Sequence, residues 1–155
     1  MIQVKSIPKP ISSIVDLSYE HEGKKVFKID AEIDSTNVDI KKGILGKLNF
    51  KRLKKFNIAM IYGGIIRKEQ ISGMLTKELE NCYQSIQLIS GHPRLDSFRF
   101  FFPMPKNYTC ETSHDLEGNY KVQFEFILKI VTHEGPFIAQ RVPITIYREK
   151  EDEKD

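Results

Sequence analysis

The chain has no tryptophan, only two cysteines in 155 residues, and no long apolar run. Each absence excludes something. A membrane-spanning helix needs roughly 18 or more consecutive apolar residues, and no stretch here approaches that. The opening residues, MIQVKSIPKPIS, lack the apolar segment of a secretory signal peptide. The sequence therefore reads as cytoplasmic. Two cysteines, Cys82 and Cys110, are too few for the stapled framework of a small secreted domain, and reduced thiols are expected. Asn107-Tyr108-Thr109 matches a glycosylation acceptor, which without a secretion signal is a chance match. A net charge of +3 is too weak to argue for a nucleic-acid partner.

What is present is alternation. The chain is 40% hydrophobic and 29% charged, the balance of one ordinary globular domain. Phe27, Ile29, Ala31 and Ile33 alternate with Lys28, Asp30 and Glu32, as a half-buried strand requires. The same period of two runs through Phe56–Tyr62, Ile86–Leu88, Phe98–Phe102, Tyr120–Ile130 and Val142–Ile146. Ile14–Tyr19 and Ile44–Phe50 are shorter candidates, giving about eight strands. Turn signals at Lys42-Gly43, Gly91-His92-Pro93, Glu117-Gly118-Asn119 and Glu134-Gly135-Pro136 fall between the runs. The pattern predicts an all-β, two-sheet sandwich or a barrel.

Residues 70–83 are ambiguous. Met74, Leu75, Leu79, Cys82, Tyr83 and Ile86 have helical spacing, while a polar loop over Gln70–Glu78 followed by a strand from about Glu80 is the competing reading. The turn signal at Ser90-Gly91 favours the second. Residues 1–10 read as a linker, residues 11–149 as the folded domain, and residues 150–155 as a charged, frayed tail.

Little of this is the raw material of catalysis. His21, His92, His114 and His133 have no cysteine or second histidine at metal-ligand spacing, and no Cys-x-x-Cys occurs. His114-Asp115 and His133-Glu134 pair an imidazole with a carboxylate beside turns, where polar residues are expected anyway. Neighbours on a strand also point to opposite faces. Gly63-Gly64 lies within a strand run and marks an expected β-bulge. No catalytic, metal or cofactor-binding residue is assigned.

The strongest charge feature is Lys41, Lys42, Lys47, Lys51, Arg52, Lys54 and Lys55 on one predicted hairpin. Lys51, Arg52, Lys54 and Lys55 are candidates for contact with anionic membrane or an acidic partner. The competing reading is a solvated hairpin whose lysines discourage edge pairing, and the interleaved apolar residues favour it. Phe98, Phe100 and Phe102 share one face, which argues for core packing over a base-stacking platform.

Read as blocks, the chain resembles a known family. FKIDAEIDSTNVDIKKGILGKLNF is similar to the opening of the second arrestin-like domain of the vacuolar protein sorting 26 family. Its turn Ser35-Thr36-Asn37 resembles the retriever branch in particular, the Down syndrome critical region protein 3 type. NCYQSIQLISGHP, then LDSFRFFFPMPKNYTCET, then YKVQFEFILKIVTHEG and IAQRVPITIYRE resemble the later strands in the family's order, over residues 10–149. The family's first arrestin-like domain has no counterpart in these 155 residues, as for a fragment or a single-domain relative.

The resemblance implies an arrestin-like, immunoglobulin-like β-sandwich with a non-enzymatic scaffold role in protein transport. Family members dock, through a loop and its adjoining strand, onto the large helical-solenoid subunit of an endosomal recycling coat, retriever or retromer. That loop corresponds to Leu88, Ile89, Ser90, Gly91, His92 and Pro93. The apolar pair important in the retromer branch falls on Leu88 and Ile89. Sorting nexin and cargo tails are further partners it implies, with a location peripheral to endosomes. Two consecutive apolar residues cannot both face the core of a regular strand, so one is expected to be available to a partner. The alternative is an arrestin-type trafficking adaptor that binds cargo or membrane through the basic hairpin.

Overall fold

The computed structural model describes residues 8–53, 58–71, 74–80, 86–90, 97–104, 113–114, 120–133 and 137–148. Among them there are twelve strands and no helix. In chain order these are β1 (Ser13–Asp16), β2 (Tyr19–His21), β3 (Lys24–Ile33), β4 (Asn37–Asp39), β5 (Ile44–Leu53) and β6 (Ile58–Ile71). They continue with β7 (Met74–Glu80), β8 (Ile86–Ser90), β9 (Ser97–Phe102), β10 (Ser113–His114), β11 (Tyr120–Thr132) and β12 (Phe137–Tyr147).

The first sheet has the order β1-β3-β5-β9, with β2 also on β3; the second has the order β4-β12-β11-β6-β7, with β8 also on β6 and β10 on β11. Alternation builds the core between them. From the first sheet Ile29, Ala31, Ile33, Leu48, Phe100 and Phe102 point inward, and from the second Ile61, Phe124, Phe126, Leu128, Ile130 and Ile144 meet them. Phe126 is the junction. Its ring centroid lies 5.3 Å from that of Phe102 and 6.3 Å from that of Phe100, within the range where aromatic pairs attract.

Each of the eight expected runs contains strand among the described residues. The four additional elements are short or context-made. Ile14–Tyr19 divides into β1 and β2. β4 is three residues held in parallel against Thr145–Tyr147 of β12, a pairing no local pattern announces. β10 is a two-residue pairing on β11. β7 replaces the loop expected over Gln70–Glu78: Met74–Glu80 pairs with Ile71–Ile66 in a hairpin. Here tertiary pairing along the edge of β6 overrode a helix-like spacing.

The expectation at Gly63-Gly64 also needs correcting. Both glycines pair in unbroken register with Leu128 and Ile127 of β11. Gly63 is small for another reason. A Cβ there would lie 2.9 Å from Phe102 Cδ2 and 3.0 Å from Phe126 Cε2, so the absent side chain is the space the two rings occupy. The register shift lies next door, on the β8 side of Ile61 and Tyr62.

Ser35-Thr36-Asn37 is a fastening point. The Ser35 hydroxyl donates to the Asn37 carbonyl at 2.9 Å and accepts from the Asn37 amide at 3.0 Å. It also accepts from the Ile11 amide, while Asn37 Nδ2 donates to the Lys9 carbonyl at 2.7 Å. The Thr36 amide donates to the Ile11 carbonyl, and its own carbonyl accepts from the Thr145 amide at 2.8 Å. One turn thus joins the lead-in segment, β4 and β12, and Lys9 already contacts the sandwich.

Candidate functional site

Of the residues singled out for partner binding, Leu88, Ile89 and Ser90 lie on a strand beside β6 in the second sheet. The long strand β6 carries two antiparallel partners in succession on one side: β7 along Ile66–Ile71 and β8 along Met60–Gly63. β7 and β8 run in the same direction, and both lie on the same side of β6. Leu88, Ile89 and Ser90 belong to β8. Gly91, His92 and Pro93 lie outside the described residues.

Leu88 occupies an irregular position. Ile61 pairs with Ile89 and Tyr62 with Gln87, so Leu88 is the extra residue of a β-bulge. Bulges suspend strict alternation and re-aim the side chains beside them. The sequence argument assumed a regular strand, in which one of two consecutive apolar residues must face outward. The observed backbone puts the pair where that rule no longer holds.

The basic hairpin is less concentrated than its sequence. Lys51 stands at a register shift between β3 and β5, and its ammonium lies 2.8 Å from Asp30 Oδ2. Asn49 Nδ2 donates to the other oxygen at 2.9 Å. Burial pushes the Asp30 carboxyl up, but the hydrogen bonds from Lys51 and Asn49, with the Lys51 charge, outweigh it and hold the group below its usual value. Lys51 is correspondingly raised by the Asp30 hydrogen bond and charge. One of the four candidate cations is therefore engaged within the fold. Arg52 pairs through its backbone with Lys28, and Lys54 and Lys55 lie outside the described residues.

His114 and His133 do not converge. His114 pairs with Lys121 near the start of β11, whereas His133 follows its last residue. At about 3.3 Å per residue, the two are roughly 40 Å apart. On the outer face of the second sheet a hollow of about 350 Å³ opens between β11 and β12, lined in part by Lys68, Gln123, Glu125 and Thr145. The Glu125 carboxylate there is already paired with Lys68, with Arg141 Nη1 at 3.8 Å.

Sequence reading missed one surface feature. Leu45 and Phe101 are direct cross-strand partners on β5 and β9, and they are 51% and 50% exposed. Phe101 is the one residue of Phe98–Phe102 that breaks the buried pattern among the phenylalanines, which was visible. That Leu45 stands opposite it depends on the β5–β9 register, which was not.

No protein-family model matches the chain, and no curated protein matches it by sequence. Among solved structures it is similar to the sporulation control protein Spo0M of Bacillus subtilis, with a TM-score of 0.58 and 14% identity. The match covers 78% of this chain and 49% of Spo0M, so the chain spans about half the length of that protein. At that identity the likeness speaks to fold alone. The chain is an arrestin-like two-sheet β-sandwich.

Proposed function

We propose that this domain is a non-enzymatic scaffold of an endosomal cargo-recycling coat, docking the large helical-solenoid subunit of retriever or retromer. The contact is made by β8 and the loop after it, Leu88 to Pro93. The reading is supported by the order of family-like blocks along the chain and by an arrestin-like sandwich under them. The observation that carries it is the place of Leu88 and Ile89, on a bulged strand at the side of β6. Edges and bulges are where sheets present side chains and backbone to partners. A small number of central apolar anchors commonly dominates such an interface. Sorting nexins, cargo tails and the cytoplasmic face of endosomes follow from the same assignment.

The test is a pull-down of the folded domain with the N-terminal helical repeats of each large subunit. Selective capture of one, abolished by Leu88→Asp with Ile89→Asp, is expected. Capture that survives the double substitution would falsify the site. Failure of a folded domain to capture either solenoid would sink the scaffold assignment for this domain alone. The adaptor reading through Lys51, Arg52, Lys54 and Lys55 has less support, because Lys51 is committed to Asp30.

A further inference from the structure

The β9 edge of the first sheet offers a second docking surface among the described residues. β9 pairs with β5 on one side and, among the described residues, is the terminal strand of its sheet. Alternate residues of Ser97–Phe102 therefore direct amide and carbonyl groups away from the sheet. Beside that edge lie the half-exposed partners Leu45 and Phe101.

The adjacent row on the same face carries a second signal. Lys47 and Arg99 are direct cross-strand partners. Like charges in that relation lie about 5 Å apart at Cβ and repel one another. Glu32 stands opposite Lys47 on β3, and Asp34 Oδ2 lies 3.6 Å from Arg99 Nη1. Arg99 nevertheless remains 73% exposed. A third cation, Lys42, lies exposed in the turn before β5. Lys47 and Arg99 therefore stand nearest the β9 edge in their row, with Glu32 one strand further in.

We propose that β9 is extended by an acidic peptide strand, with an apolar side chain against Phe101 and a carboxylate against Arg99. The two recognition residues are two positions apart on one face of the incoming strand. Added antiparallel, as β5 is on the other side, that strand reads apolar-x-acidic in its own direction. The charges argue against a second copy of this chain, which would bring its own Arg99 and Lys47 to the edge. An anionic lipid surface would satisfy the cations and the apolar pair, but not the row of backbone groups.

The probe is a labelled peptide with a leucine two residues before a glutamate in a threonine background, titrated into the intact domain and followed by amide chemical shifts. Saturable shifts along Ser97–Phe102 are expected. Phe101→Ser with Leu45→Ser should weaken binding by about tenfold or more. Arg99→Glu should shift preference to the same peptide with lysine in place of glutamate. N-methylation of the peptide's edge-facing amides should abolish binding, because it removes the strand pairing. Shifts that survive N-methylation, or no shift at β9 with millimolar peptide, would overturn the proposal. So would capture by phosphatidylserine vesicles that the folded domain does not show for peptide. None of these outcomes depends on whether the solenoid binds at β8.

Discussion

The two sheets end in edges of different kinds. β9 is one uninterrupted strand whose pairing with β5 keeps a single register from Ile44–Phe102 to Asn49–Ser97. The opposite case is the edge made by β7 and β8. Its pairing with β6 carries a register shift at Glu69/Gln70 and another at Ile61/Tyr62. A regular edge is a template on which another strand can be laid. A bulged edge is a poorer template, because bulges suspend regular pairing and re-aim the side chains beside them. The comparison teaches that one sandwich can hold two recognition modes, backbone pairing at one edge and anchor residues at the other.

The comparison holds only while the shared core holds. Phe126 touches both Phe100 and Phe102 across the interface, and it is fully buried. Phe126→Ala should cost about 3–5 kcal/mol. Chemical denaturation should show this as a lower midpoint with one cooperative transition, both edges being lost together. Two separated transitions would mean that the sheets are not one folding unit. The paired change Leu88→Asp with Ile89→Asp should remove solenoid capture while leaving the denaturation midpoint and any β9 peptide shifts in place. This separates the edges from the other side.

A change at Gly46 should act on the β9 edge selectively. A Cβ there would collide with the Phe100 ring and lie 2.7 Å from the Glu32 carbonyl oxygen. Because one of the obstacles is backbone, relief requires moving β5 against β3 as well as turning a ring. Gly46→Ala should destabilise the domain by about 1–3 kcal/mol. Amide exchange should quicken along β5 and β9 before it does so in β8.

How much of this could be read from sequence depends on the range of the interaction. The long strands were legible because alternation is local: Tyr120–Ile130 buries Val122, Phe124, Phe126, Leu128 and Ile130, as its pattern required. β4 was not legible, because three residues acquire strand form only by lying against Thr145–Tyr147. β7 was not legible for the same reason: Gln70–Glu78 reads as a polar loop, and only pairing with β6 makes Met74–Glu80 a strand. The candidate residues Leu88 and Ile89 were found through likeness between blocks. Their bulge was hidden, because a register shift is a property of two strands. Gly63-Gly64 was noticed for the right composition and the wrong cause. Ser35-Thr36-Asn37 reads as a family-like turn, and its side chains and backbone together join three segments of the fold.

The smallest expected effect concerns the charged row at the far end of the first sheet's outer face. Asp30 pairs with Lys51 and Asn49, and its carboxyl is held below the ordinary aspartate value of 3.8. A carboxyl whose pKa falls on folding stabilises the fold above its unfolded value, and that contribution is lost as pH drops through its folded value. Asp30→Asn should therefore be slightly less stable than the parent at neutral pH. The difference between the two should shrink as pH falls from about 3.8 downward. Comparing parent with variant at each pH cancels the titration of the other carboxylates. A constant difference across that range would mean that Asp30 acts by shape and hydrogen bonding, not by charge. β9 peptide binding should be unchanged in the variant, because Asp30 and Arg99 lie in different rows of the face.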